Sequence, residues 1–302
     1  MSILEAGPEI SLSIVFLNYN RVDQTRQTVC KLLDLVGDRP DIEIIAVDNG
    51  STDGTREFLQ CEKRIQSILL DENTGIAGYN SGFSRARGNY LLVLDDDSCP
   101  RDRQTVDRLI ACMDRDSRIG LVACHIESQD GSAQWSWHLP SRKRFGPSPF
   151  FIGCGFCVRR ELLVRIGGYP EDFFLYQNEI EVTFRIRQEG FLVYYDPESR
   201  VVHRGEPSSR PGWRRVYYPT RNTIRLIRTY YPQPLASYMI GTRLLIGLVR
   251  GIRFNEFSAW LKAVRDSWKK PVCTRYLSPE IRLESASFMR QNSLFHHLLG
   301  KL

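Results

Sequence analysis

Four short apolar runs punctuate the first hundred residues at a spacing that few folds accommodate: LSIVFL (12–17), IEIIAV (42–47), SILL (67–70) and YLLVL (90–94). Each is too short for a helix and rich in large aliphatic side chains, as buried strands are. Between them the spacing turns helical. Val22, Val29, Leu32, Leu33 and Val36 fall near one face of a helix over 22–36, and GIAGYNSGFSRA reads as a glycine-loosened helix before the fourth run. Strand, helix, strand, helix at this interval predicts a parallel α/β sheet with right-handed crossovers.

Three of the runs end in polar clusters: Asn18-Tyr19-Asn20, Asp48 within DNGSTDGT, and Asp95-Asp96-Asp97. Ligands of open parallel sheets bind outside the carboxyl ends of the strands, so three such clusters mark one sheet edge as a binding edge. Adjacent carboxylates repel one another, and a divalent cation offsets that repulsion with its own charge. Mg²⁺ is typically held by one or two carboxylates plus substrate phosphates. Asp95 and Asp97, two apart, point alike if the turn stays extended, and Asp96 then points elsewhere. A solvated acidic turn is the plainer alternative.

After residue 101 the pattern mixes. A helix is expected over 103–114, a strand at IGLVAC (119–124), and an irregular Trp/Pro/Ser/Gly stretch over 127–150. A run loosened by small residues follows at FIGCGFCV (151–158), then a helix over 179–190 stopping at Gly190. Short strands FLVYY and RVVH precede three helical stretches from Trp213 onward.

Composition sets outer limits. In 302 residues, 25% charged and 42% hydrophobic side chains describe an ordinary soluble globular protein. No uninterrupted apolar run approaches the roughly 18 residues of a membrane span; the longest candidate, LASYMIGTRLLIGLV, carries Arg243. MSILEAGPEI lacks the basic-then-apolar pattern of a signal peptide, so a cytoplasmic location is expected. The 8 cysteines are scattered and read as reduced structural thiols. CGFC (154–157) has neither a second pair nor a helix start to suggest zinc or redox chemistry. Residues 200–302 hold 19 Lys/Arg against 5 Asp/Glu, a net of +14, and leave −8 on residues 1–199. The basic tail faces an anionic partner or is merely solvated. It contains no recognisable nucleic-acid module, so no nucleic-acid partner is expected.

The ordered set SIVFLNYNR (13–21), VDNGSTDGT (47–55), NTGIAGYNSG (73–82), ARGNYLLVLDDD (86–97), GCGFCVRRELLVRIGGYPEDFFLYQNEIEVTFRIRQEGF (153–191) and VVHRG (201–205) resembles the family 2 glycosyltransferases of the GT-A fold. The resemblance is strongest to the rhamnosyltransferase-like branch of cell-surface polysaccharide assembly. It covers about two thirds of the chain and implies a Rossmann-like mixed, mostly parallel sheet flanked by helices. It implies a nucleotide-sugar-binding half over 1–100, an acceptor-binding half over 101–210 and a basic helical extension over 211–302. In that family pattern Asn18, Tyr19, Asn20 and Arg21 flank the nucleotide, mostly through backbone groups, and Asp48 accepts from a pyrimidine N–H. Asn73, Gly75, Gly78 and Asn80 lie along the donor, as does Asp96. Asp95 and Asp97 match the metal-binding DxD pair, with His203 matching a third ligand for Mg²⁺ or Mn²⁺. Two departures stand out. Tyr79 occupies a position where the family often has Arg, and Asn178-Glu179 replaces the usual Glu-Asp, leaving Glu179 as the matched general base and Glu181 as fallback.

The activity this implies is inverting, metal-dependent transfer from a dTDP- or UDP-sugar to a hydroxyl of a glycan or lipid-linked acceptor. A relative that binds nucleotide-sugar without catalysis, suggested by Asn178, and a nucleotidyltransferase are the alternatives. LNYNR lacks the Gly-rich basic loop that a nucleotidyltransferase would carry. The basic tail, with Arg243, Arg250, Arg253, Lys262, Arg265, Lys269 and Lys270 among apolar residues, is expected to lie on the anionic inner face of the cytoplasmic membrane or to pack within the protein, including as a homodimer.

Overall fold

The computed structural model describes residues 9–134, 144–205 and 212–291, so the centre of the predicted irregular stretch lies outside the described residues. The chain forms two compact units, Met1–Asp172 with Arg185–Glu206, and Phe173–Phe184 with Pro207–Leu302.

The first unit begins with β1 (Leu12–Asn18), α1 (Val22–Val36), β2 (Ile42–Asp48), α2 (Thr55–Cys61) and β3 (Gln66–Leu69). A 3₁₀ turn over 75–78 leads into α3 (Tyr79–Arg85) and β4 (Tyr90–Asp95). β1 pairs in parallel with both β2 and β4, and β2 with β3. Leu12, Ile14, Val15 and Phe16 are all fully buried, which is why this run is continuous rather than alternating: helices cover both faces of a parallel sheet. α1 buries Thr25, Thr28, Val29, Leu32 and Val36, a helical stripe, and ends at Gly37, whose φ of 58° suits glycine. Gly82 explains the loosened look of α3. A Cβ there would meet Val15 Cγ1 at 2.6 Å, so the helix lies directly on the sheet.

The later elements are β5 (Ser98–Pro100), α4 (Arg103–Arg115), β6 (Ile119–Glu127), β7 (Gly146–Pro147), β8 (Gly155–Arg159) and α5 (Arg160–Arg165). α4 starts where the Asp102 carboxylate accepts the Thr105 N–H at 2.8 Å. α6 (Asn178–Gln188) carries the chain between the two units, and β9 (Leu192–His203) returns to the sheet. The strand order is β3-β2-β1-β4-β8-β6-β9-β5, with β7 on β9. β8 is antiparallel to β4 and β6, whereas β9 is parallel to β6, giving the predicted mixed sheet with its parallel half first. The FLVYY and RVVH runs form one strand. The pairing jumps from Cys124↔Asp196 to His125↔Arg200, and the bulged residues are held by Asp196 accepting from Arg108 Nε and Ser199 Oγ, both at 2.6 Å.

The second unit packs α7 (Gly212–Tyr230) against α8 (Leu235–Arg253) and α9 (Phe257–Lys269), followed by α10 (Pro279–Gln291). Four helices therefore stand among the described residues where three were expected. α8 has 19 residues and a mean hydropathy of 1.3 over 18 of them, long and apolar enough to cross a membrane by length and composition. The expectation of no such helix rested on an uninterrupted run, which Arg243 breaks. Gly247 lets α8 approach its neighbours, since a Cβ would sit 2.9 Å from Thr220 Oγ1 and from Trp260 Cδ1.

None of the cysteines forms a disulfide. Cys99, Cys124, Cys154 and Cys157 are buried, while Cys30, Cys61 and Cys273 are exposed. Burial pushes the thiols of Cys99, Cys124 and Cys157 up in pKa. Thiol titration of the native protein should label Cys30, Cys61 and Cys273 quickly and the four buried thiols only on unfolding. Fast labelling of Cys157 would contradict this packing.

Candidate functional site

Strand register sets the polar clusters side by side. Asn18 pairs with Asp48, and Leu17 with Asp95, so all three reach the same sheet edge. The loops beyond them are stitched together. Asn20 adopts φ 51°, a left-handed conformation that Asn tolerates; its N–H donates to Ser51 Oγ at 3.0 Å and its Oδ1 accepts from Thr52 N at 2.7 Å. Val22 N donates to Asp53 Oδ2 at 2.9 Å. The Asn49 amide donates to Asn73 Oδ1 and Gly75 O, both at 3.0 Å, while its oxygen accepts from Thr74 N at 3.1 Å. Asn49, absent from the sequence expectations, ties the end of β2 to the 73–75 segment.

Several predicted donor contacts carry packing duties here. Asp48 is fully buried, and its carboxylate oxygens lie 3.2 and 3.3 Å from Ser51 N. Gly78 leaves no room for a side chain, since a Cβ would meet Asn49 Oδ1 at 2.8 Å. Asn80 clasps one residue, donating to Tyr169 O at 2.9 Å and accepting from Tyr169 N at 2.8 Å. Tyr19 is exposed.

The three acids at the end of β4 meet different sets of partners, with Arg21 shared by two of them. Arg21 Nη1 lies 2.8 Å from Asp96 Oδ1 and 2.9 Å from Asp97 Oδ2, and its carbonyl accepts from Thr25 N at 2.9 Å. The tight turn thereby puts Asp96 and Asp97 on one guanidinium, unlike the alternation expected from sequence. Burial pushes the Asp96 carboxyl up to about 8 against the pull of Arg21. Burial raises Asp97 as well, but His203 and Arg21 outweigh it and hold that carboxyl at about 2. Tyr79 fills the place of the expected Arg, its OH 2.7 Å from Leu94 O and 3.1 Å from Asp95 Oδ1. Burial and the Asp95 charge keep its phenol well above the ordinary tyrosine range, so it meets that carboxylate as a neutral donor.

The antiparallel strands complete the cluster. Leu94 pairs with Gly155, bringing Cys154 level with Asp95, and Ser98 pairs with His203. Gln134 Nε2 donates to His203 O at 2.9 Å, and a carbonyl can only accept, so the amide orientation is fixed. Its oxygen then lies 2.8 Å from His203 Nδ1, which must carry the ring proton. In the neutral ring, Nε2 therefore presents a lone pair to Asp97 Oδ1 at 3.1 Å. That buried oxygen makes no well-aligned hydrogen bond. Two electron-rich atoms so placed call for a positive charge. A proton on His203 answers it, and the contact with Asp97 raises the His203 pKa although burial lowers it. A cation answers it equally, because the ligand atoms of Asp95, Cys154 and His203 all lie within 4.8 Å of one another. Carboxylate and imidazole suit Mn²⁺ or Mg²⁺, with the Cys154 thiol a softer addition. The residues present fit a divalent ion.

In the second unit, Asn178 is buried and Glu179 half-buried in the first turn of α6. A neutral amide at 178 avoids burying a second charge there. The fallback base Glu181 is already engaged, accepting from the buried Tyr230 OH at 2.9 Å. Phe174, Tyr176 and Gln177, just before α6, have φ of 59°, 68° and 67°. Non-glycine residues in this region cost on the order of 1–3 kcal/mol each, and the surrounding structure must hold them there.

Likeness to known proteins bears on this site. The family model described as Glycosyl transferase family 2 matches residues 13–168. TuaG of Bacillus subtilis (strain 168), a glycosyltransferase assigned to teichuronic acid biosynthesis, is 33% identical over 126 residues, 40% of this chain and 49% of its own length. The N-acetylglucosaminyl-diphospho-decaprenol L-rhamnosyltransferase of Mycobacterium tuberculosis is 25% identical over 214 residues, 57% of this chain and 69% of its own. The chain thus spans about half the length of the first of these relatives. The mannosyltransferase PcManGT of Pyrobaculum calidifontis, solved with GDP-Man and Mn²⁺, superposes with a TM-score of 0.59 at 18% identity, covering 98% of this chain and 84% of that one. GalNAc-T7, solved with UDP, GalNAc and Mn²⁺, gives a TM-score of 0.62 at 18% identity over 85% of this chain and 56% of that one. The latter two likenesses establish the fold, which is that of GT-A glycosyltransferases.

Arg21→Met would leave Asp96 and Asp97 facing each other without their guanidinium. Removing one partner of a fully buried pair costs about 3–5 kcal/mol. With 33% of the Arg21 side chain exposed, about 1–3 kcal/mol is expected from urea unfolding. An unchanged midpoint would show that the acids do not need this partner.

Proposed function

The chain belongs to glycosyl transferase family 2, and from that membership we propose that it transfers a sugar from a nucleotide diphosphate-sugar to a hydroxyl of a glycan or lipid-linked acceptor, with inversion. dTDP- and UDP-sugars are the donors proposed. The observation that carries the reading is the pair of facing lone-pair atoms, His203 Nε2 and Asp97 Oδ1, beside Asp95. Asp95, Asp97 and His203, with Cys154 adjacent, would hold Mg²⁺ or Mn²⁺. Bound there, the ion supplies Lewis acidity that stabilises charge on the departing diphosphate.

The chain's own residues do the rest. The loops at 18–21, 48–53 and 73–75 receive the nucleotide, with Tyr19 exposed for a base or ribose. Tyr79 keeps Asp95 in place without adding a charge. Glu179 takes the acceptor hydroxyl's proton as that oxygen forms its bond to the anomeric carbon, while the bond to the diphosphate breaks and its electron pair leaves with the diphosphate. General-base action of this kind contributes about 10²–10⁴-fold.

The second unit is proposed to rest on the anionic inner face of the cytoplasmic membrane, where lipid-linked acceptors would be met. Residues 212–255 contain 8 Arg and no Asp or Glu. α8 exposes Tyr238, Leu245, Val249 and Ile252 and buries Ala236, Ile240, Gly247 and Gly251. At about 100° per residue the exposed four fall within roughly 60° of arc, opposite the buried four. α9 likewise exposes Phe257, Leu261 and Trp268 beside Lys262, Arg265 and Lys269. An outward apolar stripe flanked by cations, with Asp266 on α9 already paired to Arg265 and Lys269, complements anionic lipid.

Incubation with labelled UDP-, dTDP- and GDP-sugars and Mn²⁺ or Mg²⁺ should release nucleoside diphosphate, and chelator should abolish that release. Full turnover in EDTA removes the metal. Glu179→Gln should lose about 10²–10⁴-fold in turnover yet keep nucleotide binding; binding without turnover in the unaltered protein would instead favour a relative that lost catalysis. Vesicles of phosphatidylglycerol and phosphatidylcholine should sediment the protein at low salt. Leu245→Asp with Ile252→Asp should weaken this at least about tenfold, since each buried aliphatic side chain is worth roughly 1.5–3 kcal/mol. Absence of vesicle binding at low salt, or a dimer that the same substitutions dissociate, would give this face to another partner.

A further inference from the structure

Directly before the acidic start of α6, the chain makes a turn that it would not adopt unaided. Phe174, Tyr176 and Gln177 all have left-handed φ without being glycine. The carbonyls of this turn converge on one side chain. The amide nitrogen of Asn222, on α7, lies 3.1 Å from Phe173 O, 2.8 Å from Leu175 O and 2.9 Å from Tyr176 O. Carbonyls only accept, so the nitrogen end must face them, and the Asn222 oxygen accepts from Arg221 Nε at 2.9 Å on its other side. Two hydrogens serve three acceptors. Asn222 is fully buried, so water cannot replace it.

The neighbouring residue reinforces the clasp. Arg221 Nη2 donates to Phe173 O at 3.0 Å, and the Phe174 ring stacks on Tyr218 with centroids 5.3 Å apart and planes 14° from parallel. The turn then passes straight into the helix: Glu181 N donates to Gln177 O at 3.2 Å, so the last left-handed residue also supplies an acceptor for the first turn of α6. Glu179 lies between these two bonded residues. Its backbone is fixed by the turn, and the turn is fixed by the Asn222 amide.

We propose that Asn222 is a positioning residue for Glu179: its buried amide gathers the carbonyls of 173–176 and so sets where the carboxylate at the start of α6 stands. This rests on the reading of Glu179 as general base. An aspartate, acceptor-only, would repel the same three carbonyls. A leucine of similar volume would leave them without donors.

Asn222→Ala and Asn222→Ser open nearly the same void, but serine keeps one donor, so their difference isolates hydrogen bonding from packing. With the nucleotide-sugar and metal that the unaltered protein turns over, and water as acceptor, kcat should fall about 10–100-fold in Asn222→Ala, because a displacement of about 1 Å costs on the order of 10²-fold. Asn222→Ser should lie between, with KM for the donor within about twofold of the unaltered protein in both, as expected when only transition-state interactions are lost. Hydrogen exchange without any ligand should accelerate in both variants over 173–181 and not across β1, β2 and β4. Equal kcat in all three proteins, equal loss in Ala and Ser, or loss of nucleoside diphosphate binding together with turnover would overturn the proposal. Glu179→Gln run in parallel separates the two readings. If it is inactive while Asn222→Ala is normal, only the positioning role falls; if it turns over normally, the base assignment falls and this role with it.

Discussion

Neutralising three carboxylates at the end of one buried strand is the constraint around which the first unit is organised. Repulsion among Asp95, Asp96 and Asp97 is relieved by different means at each. Asp95 has the neutral Tyr79 phenol beside it, Asp96 is driven by burial toward its protonated form, and Asp97 sits between Arg21 and His203. Each partner comes from a separate element, so the lengths of the β1–α1 turn and of β9 follow from where the charges are. Backbone groups join in: Arg204 N donates to Asp97 O at 2.9 Å, and Thr28 Oγ1 to Asp96 O at 2.6 Å. The arrangement is matched to anion-rich ligands only if a further positive charge arrives with them, which is why the facing His203 and Asp97 atoms weigh more than the acidic motif by itself.

The second unit solves a different problem. Whereas α7 buries Val216, Ile224, Leu226, Ile227 and Tyr230, α8 and α9 bury mostly small residues, Ala236, Gly247, Gly251, Ala259 and Ala263, and turn several large apolar ones outward. That inverts the usual amphipathic arrangement, in which the apolar stripe faces the core. The same unit spends a fully buried side chain, Asn222, on holding an unfavourable turn. Both features are costly to a protein that needs only to fold, and both become intelligible if the unit presents a carboxylate and meets a lipid surface.

How far the sequence carried depended on whether the determining interaction was local. The four parallel strands were readable to within about two residues, since continuous burial leaves an unbroken apolar run. β9 was read as two strands because Asp196-Pro197 has the form of a turn; only the Arg108 and Ser199 bonds to Asp196 let the strand bulge and continue. The acids and His203 were visible as motif positions. Cys154, Gln134 and Asn49 were not, because their places come from antiparallel register and cross-loop hydrogen bonds that leave no periodic trace. Asn80 also clasps Tyr169, and Gly78 leaves no room for a side chain beside Asn49, packing constraints that no motif announces. Asn222 carried no signal at all, being one polar residue inside a helical pattern.

The path of the sheet has a consequence for biosynthesis. β4 and β5 are separated in sequence by only the Asp96-Asp97 turn, yet three strands stand between them in the sheet order, and β5 is held by β9. His203 and Arg204, which help settle the acids, are more than a hundred residues downstream. While the polypeptide emerges from the ribosome, the parallel half can assemble early, but its most strongly charged corner must wait for the last strand. Contacts of such long range close slowly. The nascent protein therefore passes through a stage in which a finished half-sheet carries three acids with Arg21 as their protein counter-charge, and His203 and Arg204 join only when translation has passed residue 204.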